Sequence, residues 1–147
     1  MDNRVKIAKE KFESGYNCAQ SVFFACLDDK QISKNAALKI TTGFGAGYGR
    51  IQEVCGAVSG AIMTMGLKNG RSENEDRNTT EAMYQKTRDF IKSFEDIHGS
   101  IICRELLNGC DMQSEAGQAE YWEQELFQNT CLKCVETAVK IIEEQKD

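Results

Sequence analysis

The sequence predicts an all-α fold: a single-domain bundle of about six to seven helices around a central helix rich in small residues, spanning residues 1–147. Three observations carry this. The 147 residues include no proline, so no ring removes a backbone donor from a helix interior. Ala, Glu, Lys, Gln and Leu, all good helix formers, fill the amphipathic stretches. No apolar–polar alternation at the period of a strand competes with them.

The elements follow in order. Val5, Ala8 and Phe12 share one face of a first helix that ends at Ser14-Gly15. Asn17 is a good N-cap for a second, whose buried stripe is Ala19, Val22, Phe23 and Cys26. Ser33 caps a third helix to about Ile40, which stops at the alternating glycines 43, 45, 47 and 49. The segment from about Ile51 to Gly66 is apolar nearly all round and belongs at the centre of the bundle. A polar stretch, Lys68 to Asn78, leads into a long helix with the stripe Met83, Thr87, Phe90, Phe94 and Ile97. Ser100 starts a short helix ending at Asn108-Gly109, where glycine suits a left-handed C-terminal position. Residues 111–129 are the least readable, with one helix expected around Ala119 to Leu126, and the last helix starts at Cys131 and buries Val135, Ala138, Val139 and Ile142.

A chain of this length holds a core without cross-links. Seven cysteines fall below the roughly 8 to 10% of a secreted disulfide scaffold, and an odd count leaves one thiol over. Met1 to Glu10 is charged and lacks an apolar h-region, and no stretch reaches the length of a membrane span. The expectation is therefore a cytoplasmic protein with reduced thiols and no membrane insertion. The net charge of −5 and the pI near 5.0 argue against a nucleic-acid partner, because that affinity comes from Lys and Arg neutralising phosphates.

Four cysteines fall near expected helix starts: Cys18, Cys55, Cys103 and Cys131. A helix N-terminus carries about half a positive charge and free N–H donors, which favour a thiolate. Cys55 has the weaker dipole argument, lying an expected second turn into its helix, but Gly56, Ala57, Ser59, Gly60 and Ala61 after it form a smooth strip that another backbone or an inorganic cluster can approach. Cys26 reads as a small core hydrophobe and Cys110 has no identifiable partner. Cys134 makes a C-x-x-C with Cys131, but Val135 stands where a haem-attachment histidine would be, and the strand–helix pattern of a thioredoxin site is missing. The spacing of the four is not that of a zinc ribbon, so they converge only through folding. Four thiolates suit an iron–sulfur cluster or tetrahedral zinc, while separate packing of each cysteine remains the alternative.

The glycine run 43–49 fits neither a dinucleotide fingerprint nor a phosphate loop. It reads as a flexible turn donating backbone N–H groups to sulfur, which makes Gly45, Gly47 and Gly49, with Gly56 beside Cys55, the cofactor-binding candidates. His98, the single histidine, reads as a C-terminal cap, and Ser59 has no base in any hydrolase motif. No catalytic residue is assigned.

The segments Gly15-Tyr16-Asn17-Cys18-Ala19-Gln20, Gly43-Phe44-Gly45 with Gly49-Arg50, Val54-Cys55-Gly56-Ala57-Val58-Ser59-Gly60-Ala61 and Cys103-Arg104-Glu105-Leu106-Leu107 together resemble the C_GCAxxG_C_C family, to which redox activity is attributed. The likeness runs from about Gly15 to Glu143. It implies a small helical prokaryotic protein whose family cysteines fall at Cys18, Cys55, Cys103 and Cys131, with Cys110 and Cys134 as extras where relatives carry aromatic residues. The family is also similar to part of the split-Soret cytochromes, in which an equivalent cysteine set resembles an iron–sulfur site beside the haems. This chain has no Cys-x-x-Cys-His, so the haem function does not carry over.

The leading expectation is an iron–sulfur cluster, of the 2Fe–2S type, held by those four thiolates as metal ligands and passing single electrons to a redox partner protein. Zinc, or no cofactor and redox-active thiols, are the alternatives for the site. A thiol–disulfide enzyme or sensor and a non-enzymatic helical interaction module are the alternatives for the function. A homodimer is left open.

Overall fold

The computed structural model describes residues 2–28 and 30–145. Among them stand eight right-handed α-helices and no strand: α1 Asp2–Glu13, α2 Cys18–Cys26, α3 Lys34–Thr41, α4 Gly56–Asn69, α5 Arg77–His98, α6 Cys103–Leu106, α7 Glu115–Glu123 and α8 Leu132–Glu144. The all-α reading holds, with a slightly higher helix count, and the helix expected around Ala119 to Leu126 runs Glu115–Glu123 instead. Ser114 caps it, accepting a hydrogen bond from Gly117 N at 2.9 Å.

Helix α4 is the centre of the bundle. It packs most extensively on α2, and against α5 and α8. Its small residues make this possible: a Cβ on Gly60 would meet the Ala19 carbonyl oxygen at 2.7 Å. Val22, Val58, Met65, Phe90, Phe94, Val135 and Val139 are fully buried around it, and truncating either phenylalanine to alanine costs about 3–5 kcal/mol. The α5 stripe differs at its end: Ile97 is 62% exposed, and the position four residues after Phe94 is taken by His98, whose ring lies 4.7 Å from that of Phe94.

Three irregular segments position the site. After α3 the chain passes through a 3-10 turn, Thr42–Phe44, into a left-handed turn in which Ala46 (φ 51°), Gly47 (64°), Tyr48 (70°), Gly49 (60°) and Arg50 (72°) all have positive φ. The turn expected to be flexible is hydrogen bonded throughout, with Gly49 N to Gly45 O at 2.9 Å, Gln52 N to Ala46 O at 3.1 Å and Glu53 N to Gly47 O at 3.0 Å.

The next segment sets where α4 begins. Residues expected to be helical from about Ile51 are non-helical instead, Gln52 having φ 69°, because they pair with the stretch before α6: Val54 and Ile102 form an antiparallel bridge, Cys55 N donates to Ile101 O at 2.7 Å and Cys103 N to Glu53 O at 2.6 Å. Buried Gln52 ties in a third stretch, its Nε2 donating to Cys110 O at 2.8 Å and its Oε1 accepting from Met112 N at 2.9 Å.

The third segment is a π-helical turn, Phe127–Cys131, running directly into α8. Phe127 stacks on Phe12 of α1 at 4.4 Å and on Trp122 at 5.2 Å, which pins this turn to the bundle.

Candidate functional site

Each of the four candidate cysteines arrives by a different local device. Cys18 is the first residue of α2, set by a reciprocal cap in which Asn17 Oδ1 accepts from Gln20 N at 2.9 Å and Gln20 Oε1 accepts from Asn17 N at 3.0 Å. Cys55 is the N-cap of α4, closer to the helix end than its sequence context indicates. Cys103 opens α6, a helix of four residues, too short for an appreciable dipole. Cys131 ends the π turn: the chain is already helical before it, so the expected first-turn position at a free helix end is not realised.

The sulfurs nevertheless meet. Cys18, Cys55, Cys103 and Cys131 line a single cavity of about 50 Å³. A fifth cysteine joins them, since Cys134 lines the same cavity and its thiol hydrogen bonds to the sulfur of Cys55. Cys134, additional to the four candidate ligands, thus stands beside them rather than in a separate part of the core. The missed signal is its spacing, because residues i and i+3 on a helix share a face, and Cys131 already faces the cavity. Leu106, Leu107, Met112 and Tyr121 supply an apolar wall. The remaining two cysteines stay outside: Cys26 is in the main core, and Cys110, in a smaller one, donates its S–H to Gly117 O at 3.0 Å.

Burial decides the acid–base state of most of these thiols. It pushes Cys18 up to about 11, aided by the nearby Cys55 charge and opposed by the N–H groups of Ala46 and Ala19. It pushes Cys103 to about 12 and also raises Cys131, although the Tyr121 hydroxyl donates to the Cys131 sulfur. The expectation that helix starts favour thiolates thus fails at Cys18, Cys103 and Cys131, where desolvation outweighs the dipole. At Cys55 it succeeds. The hydrogen bond from Cys134 and the backbone N–H groups of Ala57 and Val58 hold its thiol below the ordinary value, and Cys134 correspondingly keeps its proton.

Among the candidate glycines, Gly56 lines the cavity and a Cβ there would collide with Cys18 Sγ. Gly45 packs on the Asn17 side chain, and Gly47 on the backbone of Gln52 and Glu53, where a Cβ has no room. Gly49 closes the left-handed turn. None of these three lines the cavity; Ala46, between them, does. His98 is not a charged cap, since burial and Lys133 lower its pKa and its Nε2 lies 2.8 Å from Thr137 Oγ1.

The donor set, thiols with no carboxylate or imidazole beside them in the lining, is of the kind that sulfur-ligated metals take. Among the described residues, no three His, Cys, Asp or Glu side chains stand arranged to hold a single metal ion. The oxygen-bearing side chains of the wall are those of Tyr121 and Thr130, and the N–H groups directed at Cys18 and Cys55 suit sulfur that carries negative charge.

The fold thus brings five cysteines to one largely apolar cavity of a helical protein. The chain belongs to the family described as putative redox-active protein (C_GCAxxG_C_C), whose model matches residues 16–145. Neither a curated protein nor a solved structure matches the chain. No described helix is long and apolar enough to cross a membrane.

Proposed function

We propose that the chain is an electron-transfer protein in which Cys18, Cys55, Cys103 and Cys131 hold an iron–sulfur cluster of the 2Fe–2S type. The observation that carries this is the convergence of four sulfurs from four separate segments on unfilled apolar space. Four thiolates cannot share such a cavity without a compensating cation, because each charge is desolvated and repels the others. Bound iron would supply that charge and a one-electron couple.

The chain's own residues would do the rest. Leu106, Leu107 and Met112 keep water from the sulfurs. The N–H groups of Ala46 and Ala19 at Cys18, those of Ala57 and Val58 at Cys55, and the Tyr121 hydroxyl at Cys131 stabilise negative charge on sulfur and so favour the reduced state. The partner is a redox protein met at the rim, where Cys18 and Cys131 are half-exposed.

A thiol–disulfide enzyme acting on protein substrates has one observation in its favour, the stabilised thiolate of Cys55. Against it, Cys55 is 7% and Cys134 1% exposed, out of reach of a substrate disulfide. Packing alone, the interaction-module reading, does not account for five thiols around a void. Serine replacements test the set. Each of C18S, C55S, C103S and C131S is expected to lose anaerobic loading with iron and sulfide, read as visible absorption, while C26S loads normally; loading that survives all four changes would refute the assignment.

A further inference from the structure

We infer that Cys55 and Cys134 form an intramolecular dithiol that a peroxide oxidises to a disulfide, making this pair an oxidation site built into the cavity. The inference rests on placement. Cys134 is on α8 and Cys55 at the N-cap of α4, two elements packed against each other, and the two thiols are hydrogen bonded. No other pair of the seven cysteines shares such a bond among the interactions at this cavity. The C-x-x-C partners Cys131 and Cys134 are not the pair selected: Cys131 is bonded to Tyr121 instead.

The size of the cavity selects the oxidant. A space of about 50 Å³ has room for a small peroxide, since one water needs only about 10–15 Å³ by the same measure, and it excludes glutathione disulfide. Cys18 and Cys131 are the two cysteines of the cavity that are partly exposed. The Cys55 sulfur attacks one peroxide oxygen; the O–O bond breaks and, for hydrogen peroxide, hydroxide leaves and is protonated to water, giving a sulfenic acid. The Cys134 sulfur then attacks Cys55, the S–O bond breaks, and the hydroxyl departs as water with the Cys134 proton. Two thiols are oxidised, one hydrogen peroxide is reduced, and two waters form.

The consequence for iron loading rests on the function proposed above, because the disulfide removes Cys55 from the ligand set. The disulfide itself does not depend on it.

The test uses the full-length, iron-free, reduced protein exposed to limiting hydrogen peroxide, quenched with N-ethylmaleimide and digested with trypsin without reduction. Trypsin places Cys55 alone on Ile51–Lys68 and Cys134 alone on Cys134–Lys140, while Cys131 falls on Glu105–Lys133. The expected product is Ile51–Lys68 joined to Cys134–Lys140, two hydrogens lighter than the separate peptides and absent from C134S. A dominant cross-link between any other pair, or both peptides recovered with N-ethylmaleimide, overturns the inference. In a second arm, peroxide-treated protein is expected to take up no iron and sulfide until reduced with dithiothreitol. Reduced, untreated protein that fails to load counts against the proposed function, whereas peroxide-treated, cross-linked protein that loads as fully as reduced protein overturns the link between oxidation and loading.

Discussion

At the residue scale, the site depends on contacts that a single methyl group or hydroxyl would disturb. Gly56→Ala puts a Cβ into Cys18 Sγ. The expected outcome is a loss of roughly 1–3 kcal/mol in urea unfolding together with a larger loss of iron loading than that destabilisation accounts for. Tyr121→Phe removes the donor to Cys131, so alkylation of Cys131 by iodoacetamide at fixed pH is expected to slow; unchanged kinetics would contradict the bond's role. Cys18 was legible because Asn17 caps the helix that it opens. Cys134 was readable in principle from its spacing to Cys131 but was overshadowed by the meanings a C-x-x-C carries in other folds. Tyr121 had no signal, since nothing local indicates that a tyrosine on a short helix will reach a sulfur.

Elements explain why the cysteines meet although most are not where a helix-start rule puts them. Stripes of period 3.6 gave α1, α2 and α3 nearly to the residue, because caps such as Asn17 and Ser33 act within a few residues. The segments that close the site follow no such pattern. The pairing of residues 52–55 with 101–104 joins chain positions far apart, and the π turn inserts an irregularity that propensities do not encode. Gln52 links these pieces. Gln52→Ala leaves Cys110 O and Met112 N without their buried partner, at a cost of about 1–3 kcal/mol for each unsatisfied group. The expected readouts are a lowered urea midpoint and faster alkylation of Cys55 and Cys103; an unchanged midpoint would show that the bridge stands without its glutamine.

For the whole molecule, the sulfur placement that suits a cation is a burden without one. Cys18 has a folded-state pKa of about 11, and Cys26 and Cys103 of about 12, against an ordinary 9.0. Raised folded values mean that the unfolded chain releases these protons first. Their contribution to stability is therefore fully present below pH 9 and lost as pH rises to about 12. Cys55, with its lowered value, acts in the opposite sense and gains stability as pH approaches 9. Cys110, Cys131 and Cys134 are raised as well, so six thiols against one predict that the iron-free protein unfolds at lower urea at about pH 11 than at about pH 8; a flat or rising profile would contradict the burial of those sulfurs. The central claim concerns what fills the cavity, and the most direct measurement is iron and acid-labile sulfide in protein purified without oxygen. The account predicts coloured protein with iron and sulfide in equal amounts, near two of each per chain. Colourless protein that binds neither, even after reduction and anaerobic incubation with both, would contradict it.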